Sequence, residues 1–236
     1  MKITVMSYNT QHCMNYHTRA IDFDAFAAVI RESGADIVGL QEMRGQGTSE
    51  GYTAQAKTLA EKLGFYYYFA QAMDMGGLGD PYGNAVLSRF PILKAETVLL
   101  PYVKESGSPY PEDRALLIAE VGIEGKPFFV NVTHLGVMPL EWAGALEIIR
   151  PRLKNERCVL MGDFNFTPEN ELLAPLNRDM QDTADFFPAE RLSFSSDKPF
   201  ERIDYMYASK DLKILSAEIP AIVLSDHRPY VVTMEV

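Results

Sequence analysis

Five apolar, strand-length segments of this chain each run straight into a polar cluster, and this pattern constrains the fold more than any other feature. Ile3–Tyr8 leads into Asn9, Ile37–Leu40 into Gln41 and Glu42, and Phe128–Val132 into Thr133 and His134. Val159–Met161 leads into Gly162, Asp163, Phe164 and Asn165, and Ala221–Leu224 into Ser225, Asp226 and His227. In open α/β sheets, sites form beyond the carboxyl ends of strands, so five such ends would converge on one rim. A single strand-end Asp or Asn is more often a turn former or helix cap. Here that reading would have to hold five times, for residue types that all suit one reaction.

The intervening segments alternate between strand and helix periods. Lys2–Tyr8 alternates apolar and polar residues, as a strand does. Phe23, Phe26, Ala27 and Ile30 recur at helical spacing, with Asp22 placed to cap and Gly34 to stop the helix. Asp36–Gln41 reads as a buried strand, and Tyr52, Ala56, Leu59, Ala60 and Leu63 form a second helical stripe ending at Gly64. Strands are expected at 66–70, 84–90, 95–100, 114–121 and 127–134. A helix at 139–150 follows, with Pro139 in its first turn and Pro151 at its end. Further strands are expected at 157–162, 202–208, 212–219 and 230–235. No repeat, linker or composition break divides the chain, so the expectation is a single α/β domain over residues 1–236.

Composition narrows the partners. Lys and Arg number 22 against 32 Asp and Glu, a formal net charge of −10. Nucleic-acid binding is dominated by Lys and Arg neutralising phosphates, so a chain this acidic is disfavoured as a general nucleic-acid binder, although a local basic patch is not excluded. Two cysteines, Cys13 and Cys158, make no disulfide framework. No apolar run approaches the roughly 18 residues of a membrane span, and the first ten residues turn polar too soon for a signal-peptide core. These features lead us to expect a cytoplasmic protein without a membrane span. They leave its oligomeric state open.

The polar residue types suit hydrolysis of a phosphoester. Mg²⁺ is a hard cation that takes oxygen ligands and needs one or two carboxylates plus substrate phosphate. Glu42 supplies a carboxylate, and the amide oxygen of Asn9 can add a neutral ligand. Asp163 can orient or deprotonate the attacking water. Asn165, two residues on, points the same way if this stretch is extended, and its amide can then hold a phosphate oxygen. His134 and His227 can donate to the negative charge developing on the phosphoryl oxygens.

The ordered set of motifs resembles the endonuclease/exonuclease/phosphatase family. It comprises Ser7-Tyr8-Asn9-Thr10, Leu40-Gln41-Glu42, Tyr82-Gly83-Asn84-Ala85, Ser88-Arg89-Phe90-Pro91, Thr133-His134-Leu135, Gly162-Asp163-Phe164-Asn165, Arg202-Ile203-Asp204-Tyr205 and Ser225-Asp226-His227. The resemblance spans nearly the whole chain. It implies an α/β (α+β) fold, a four-layer sandwich of two mixed β-sheets face to face with helices outside. It implies Mg²⁺ or Mn²⁺ as cofactor, with Glu42 the principal metal ligand, assisted by Asn9 and Asp226. By the same likeness Asp163 activates water, Asn165 holds phosphate, His134 and His227 face the scissile phosphate, and Asp204 orients His227. Arg114 falls where the family often has a phosphate-facing arginine, with a surface salt bridge as the alternative. Asn84 and His12 join it as substrate-binding candidates.

Two departures from the family qualify the resemblance. The strand ending at Leu135 closes in Thr-His-Leu and lacks the tyrosine motif of abasic-site endonucleases, which disfavours that activity. In pancreatic-type enzymes the histidine corresponding to His134 pairs with a glutamate; no clear equivalent stands in this sequence, and Glu112 is a candidate. Of the remaining features, His12, Cys13 and His17 fit no zinc spacing, and Cys158 reads as a core filler. A buried strand explains Phe65-Tyr66-Tyr67-Tyr68-Phe69 better than a base-stacking platform does. Trp142 suits packing or a substrate rim equally. The leading expectation is a divalent-metal phosphoesterase acting on a small-molecule or lipid-headgroup phosphodiester or phosphomonoester. A nuclease or deadenylase is the alternative, and a catalytically silent binding module is third.

Overall fold

The parallel strand pair at the centre of each of two sheets positions everything that follows. The computed structural model describes residues 1–100, 102–188 and 191–236. In the first sheet, β1 (Lys2–Asn9) runs parallel to β2 (Ile37–Arg44). They are joined through α1 (Phe23–Glu32), whose N-cap Asp22 accepts from the Ala25 N–H at 3.0 Å. Next come α2 (Gln55–Leu63), β3 (Tyr66–Asp74), β4 (Pro81–Ser88), β5 (Ile92–Leu100) and β6 (Arg114–Ile123). The second sheet repeats the plan: β7 (Lys126–His134) runs parallel to β8 (Cys158–Asp163) through α3 (Pro139–Ile149). The chain closes with α4 (Ala174–Asp179), β9 (Gln181–Asp182), β10 (Asp204–Ala208), β11 (Lys213–Glu218) and β12 (Tyr230–Glu235).

Both sheets are six-stranded and mixed, in the orders β11-β12-β1-β2-β4-β3 and β5-β6-β7-β8-β10-β9. Three apolar clusters set the layers. One, built around Val5, Ile37, Val130, Val159 and Val232, fills the space between the sheets. A second packs Phe26, Ile30 and Leu59 of α1 and α2 on the outside of the first sheet. A third packs Leu146 and Ile149 of α3 and Leu176 of α4 on the outside of the second. The order helix–sheet–sheet–helix is the four-layer sandwich expected. Gly39 lets the sheets meet closely near the strand ends, since a Cβ there would lie 2.8 Å from Met161 Sδ and 2.9 Å from Val132 Cγ2.

Three local expectations change. Tyr52 lies before α2, which starts at Gln55, so the helical stripe begins one turn later. Ala221–Leu224, read as the fifth strand end, is irregular, and Asp226 and His227 stand on the loop before β12. The aromatic run at 65–69 is not buried throughout: β3 is the edge of its sheet, and Tyr66 and Tyr67 are 53% and 44% exposed. No helix among the described residues is long and apolar enough to cross a membrane.

Candidate active site

The carboxyl ends of the two parallel pairs face one cleft of about 440 Å³. Strand register sets the row on the second sheet. His134 is paired with Asp163 across β7 and β8, and Asp163 with Asp204 across β8 and β10, so the three stand side by side. Gly162 makes the approach possible, because at its φ of +149° a Cβ would lie 1.8 Å from the Thr133 carbonyl oxygen. On the first sheet, a bulge places Gln41 and Glu42 of β2 opposite the single residue Asn84 of β4. Glu42 takes a left-handed φ of +59° there, and such bulges re-aim a side chain. Its carboxylate turns into the cleft.

Asp163 is the hub. Its Oδ2 accepts from Asn9 Nδ2 at 3.0 Å and lies 3.5 Å from His134 Nε2 and 3.4 Å from His227 Nε2, while its Oδ1 accepts from the Asn165 N–H at 2.9 Å. That last bond closes an Asx turn with Asn165 at a φ of +57°, so the stretch is turned, not extended as expected. The turn still carries the Asn165 amide to 3.1 Å from His134 Nε2, where its Nδ2 also donates to the Leu135 carbonyl at 2.9 Å.

The two histidines differ in charge. His227 Nδ1 donates to Asp204 Oδ2 at 2.8 Å. Burial works against its charged form, but the Asp204 and Asp163 carboxylates outweigh burial and push its pKa up to about 10. His134 has no carboxylate on Nδ1. Arg114 Nη1 lies 3.1 Å from that nitrogen, and Arg114 Nη2 pairs with Glu112 Oε2 at 3.0 Å. A guanidinium only donates, so Nδ1 accepts from Arg114, while Nε2 faces the Asn165 amide donor at 3.1 Å and Asp163 Oδ2 at 3.5 Å. Burial first, then the Arg114 charge, hold His134 well below the ordinary range. Glu112 does not pair with His134 itself; it pairs with the arginine that does. Asp163 is pushed up to about 7, mainly by burial and against the pull of His227.

Several expected positions change. Asn9 presents its amide nitrogen to Glu42 Oε1 (3.0 Å) and to Asp163, and its oxygen accepts from the Gln11 N–H (3.2 Å), so it bridges two carboxylates and offers no oxygen to a cation in this arrangement. Asn84 does not face the cleft. It is buried between the sheets, where Nδ2 donates to the Ala115 carbonyl at 2.8 Å, because the β4 pleat turns it toward β6. Arg114 is buried, lines the cleft and pairs with the half-buried Glu112. His12 lines the cleft, donating from Nδ1 to the Glu42 carbonyl at 3.2 Å. Burial and the Arg44 charge lower its pKa to about 4. Trp142 is a packing residue, its ring 5.0 Å from that of Phe166 and its Nε1 donating to the Gly136 carbonyl at 2.7 Å.

Other residues of the cleft were not singled out from the sequence. Arg44, stacked 4.8 Å over the Tyr52 ring, faces the cleft two residues beyond Glu42, and that period-two spacing was the available signal. Phe194 packs its ring 4.9 Å from that of His227 and comes from an irregular stretch that offers no such signal.

The oxygen set fits a hard divalent cation. Glu42 and Asp226 both line the cleft, and among the described residues neither has a Lys or Arg partner within 4.0 Å. Burial and the neighbouring Asp226 charge raise the Glu42 pKa, the condition that a bound cation would relieve. Asp226 is oriented by Gln11 Nε2 at 2.9 Å and by the Ser225 hydroxyl at 3.0 Å. A second grouping, Asp163, Asp204 and His227, also brings ligand atoms within 4.8 Å of one another, but its short histidine–aspartate bond uses the atoms a metal would need.

The profile of the Endonuclease/Exonuclease/phosphatase family matches residues 6–227. Solved structures agree with the fold. An endonuclease/exonuclease/phosphatase from Beutenbergia cavernae DSM 12333 superposes with a TM-score of 0.80 at 22% identity, over 100% of this chain and 72% of that one. A mannosyl-6-phosphatase from Bacteroides thetaiotaomicron VPI-5482 gives 0.78 at 18% identity, over 99% and 100%. The human Nocturnin catalytic domain with bound sulfate anion gives 0.69 at 16% identity, over 99% and 94%. The chain belongs to the endonuclease/exonuclease/phosphatase family of phosphoester hydrolases.

Proposed function

We propose that this protein is a divalent-metal-dependent hydrolase of small or lipid-derived phosphoesters, with Asp163 as the base for the attacking water. The observation that carries the reading is the placement of the Asp163 carboxylate between one charged and one neutral imidazole, in a cleft shared with Glu42 and Asp226. Glu42 and Asp226 would hold Mg²⁺ or Mn²⁺, and a bound cation there supplies Lewis-acid stabilisation of phosphoryl charge. The protein's own groups account for the rest. Asp163, near neutral in pKa, suits accepting a proton at physiological pH. His227, held charged by Asp204, donates toward the phosphoryl oxygens from Nε2. His134 is kept neutral beside Asp163 by burial and by Arg114, and the Asn165 amide lies against its Nε2.

Two features favour a compact substrate. The net charge of −10 opposes a polyanion at long range. The similar Bacteroides protein is named for a sugar-phosphate substrate. A substrate panel with several divalent metals at about 0.15 M salt, where screening acts over roughly 8 Å, tests the reading. Small phosphomonoesters or diesters should be turned over, and plasmid DNA nicked weakly or not at all. Efficient nicking at that salt, lost in Asp163→Ala, would instead establish a nuclease and overturn the small-substrate reading.

A further inference from the structure

Behind Arg114 lies a second pocket of about 330 Å³ that the chemistry above does not use. Glu112 and Arg114 line both it and the catalytic cleft, and Gly136 on its wall adjoins Val137 on the wall of the cleft. The two spaces therefore adjoin, with the Glu112–Arg114 pair on the boundary between the phosphate end at His134 and this pocket. The pocket is walled by Leu100, Val103, Ala145 and Ile148. Its buried carboxylate, Glu141, is already saturated. Oε2 accepts from the Val137 and Met138 N–H groups at 3.0 and 3.1 Å, and Oε1 from the Ser106 hydroxyl at 3.0 Å. Glu112 is paired with Arg114, so apart from Glu105 at the pocket's edge the wall left to cover is apolar.

Gly144 supplies an independent observation. It sits inside α3, where glycine costs roughly 0.5–1 kcal/mol relative to alanine, and it lines the pocket. A Cβ built there would meet no atom within 4 Å, so no neighbour requires the glycine. Its φ is not left-handed, so the backbone does not require it either. A side chain added at 144 would therefore stand in open space on the pocket wall. An apolar cavity of roughly 150 Å³ already accepts a benzene ring, and this one is larger.

We infer that the pocket between α3 and the segment before β6 is a subsite for the apolar alcohol portion of the phosphoester, an alkyl or aryl group. The inference rests on the hydrolase reading for its substrate class, and it assigns specificity to residues outside the catalytic set.

The test is a series of n-alkyl phosphates and methyl n-alkyl phosphates from ethyl to octyl, assayed with wild type, Gly144→Ala and Gly144→Leu. Binding of the matching n-alkylphosphonates, followed by calorimetry, provides a readout without turnover. Burying a methylene is worth about 0.8 kcal/mol, a three- to fourfold gain per methylene. The hexyl-to-ethyl ratio of kcat/KM should therefore be on the order of 10² in wild type. Gly144→Leu fills the pocket while improving helix propensity, and should lower that ratio at least tenfold, with Gly144→Ala intermediate. A ratio near one in wild type, or equal ratios in wild type and Gly144→Leu, would overturn the inference and leave the hydrolase reading standing. If no ester is turned over while phosphonate affinity climbs with chain length and flattens in Gly144→Leu, the hydrolase reading fails and the subsite stands.

Discussion

Arg114 Nη1 lies 3.1 Å from Nδ1 of His134, so a cation backed by Glu112 orients this histidine, whereas a carboxylate orients His227. The site thereby keeps one imidazole neutral and one charged around a single aspartate. Replacing Arg114 with Met retains bulk but removes the fork that fixes the His134 tautomer. The loss of one preorganised donor at such a centre costs about 10²–10³ in kcat, and steady-state kinetics should show a fall of that order. With the guanidinium gone, burial and the His227 charge still oppose protonation but the Arg114 charge does not, so the His134 pKa should move upward by NMR titration. Wild-type turnover with an unmoved pKa would contradict the pairing.

Asp204→Asn addresses the other histidine. The His227 pKa of about 10 in the folded chain stands above its ordinary 6.5. Its contribution to stability is fully present below pH 6.5 and is lost as pH rises through 10. In chelator-treated protein, Tm should decline over that window, and the decline should shrink in Asp204→Asn. The alkaline limb of the pH–rate profile should also shift to lower pH. Identical Tm–pH curves for the two proteins would mean that Asp204 does not hold the proton on His227.

Asn84→Ala separates structure from chemistry. The substitution removes the shorter of two buried donors to the Ala115 carbonyl, leaving the Thr133 hydroxyl at 3.4 Å, and should cost about 1 kcal/mol. Urea unfolding should show a lower midpoint with unchanged slope, while KM stays at the wild-type value. A raised KM with unaltered stability would return Asn84 to the substrate.

The strand ends were legible in the sequence because burial on both faces makes β1, β2, β7 and β8 read as apolar runs, and the polar clusters mark where burial stops. From those ends the convergence of Asn9, Glu42, His134, Asp163 and Asn165 followed. Three things could not be read. The partner of His134 depends on Arg114 at the start of β6, twenty residues away and adjacent only through sheet pairing. The direction of the Asn9 amide is set by two carboxylates competing for its donors. Whether the aromatic run of β3 is central or at an edge is decided by strand order, which leaves no trace in a local period.

The most direct test of the account is the initial rate on a small phosphoester as Mg²⁺ is titrated into metal-stripped wild type and Glu42→Gln. Wild type should be silent without metal and rise to saturation. Glu42→Gln should need well over tenfold more metal, since even residues that merely support a ligand are worth about 10–100-fold in affinity. Full activity in chelated wild type, or superimposed titrations for the two proteins, would contradict a cation held by Glu42 at this cleft.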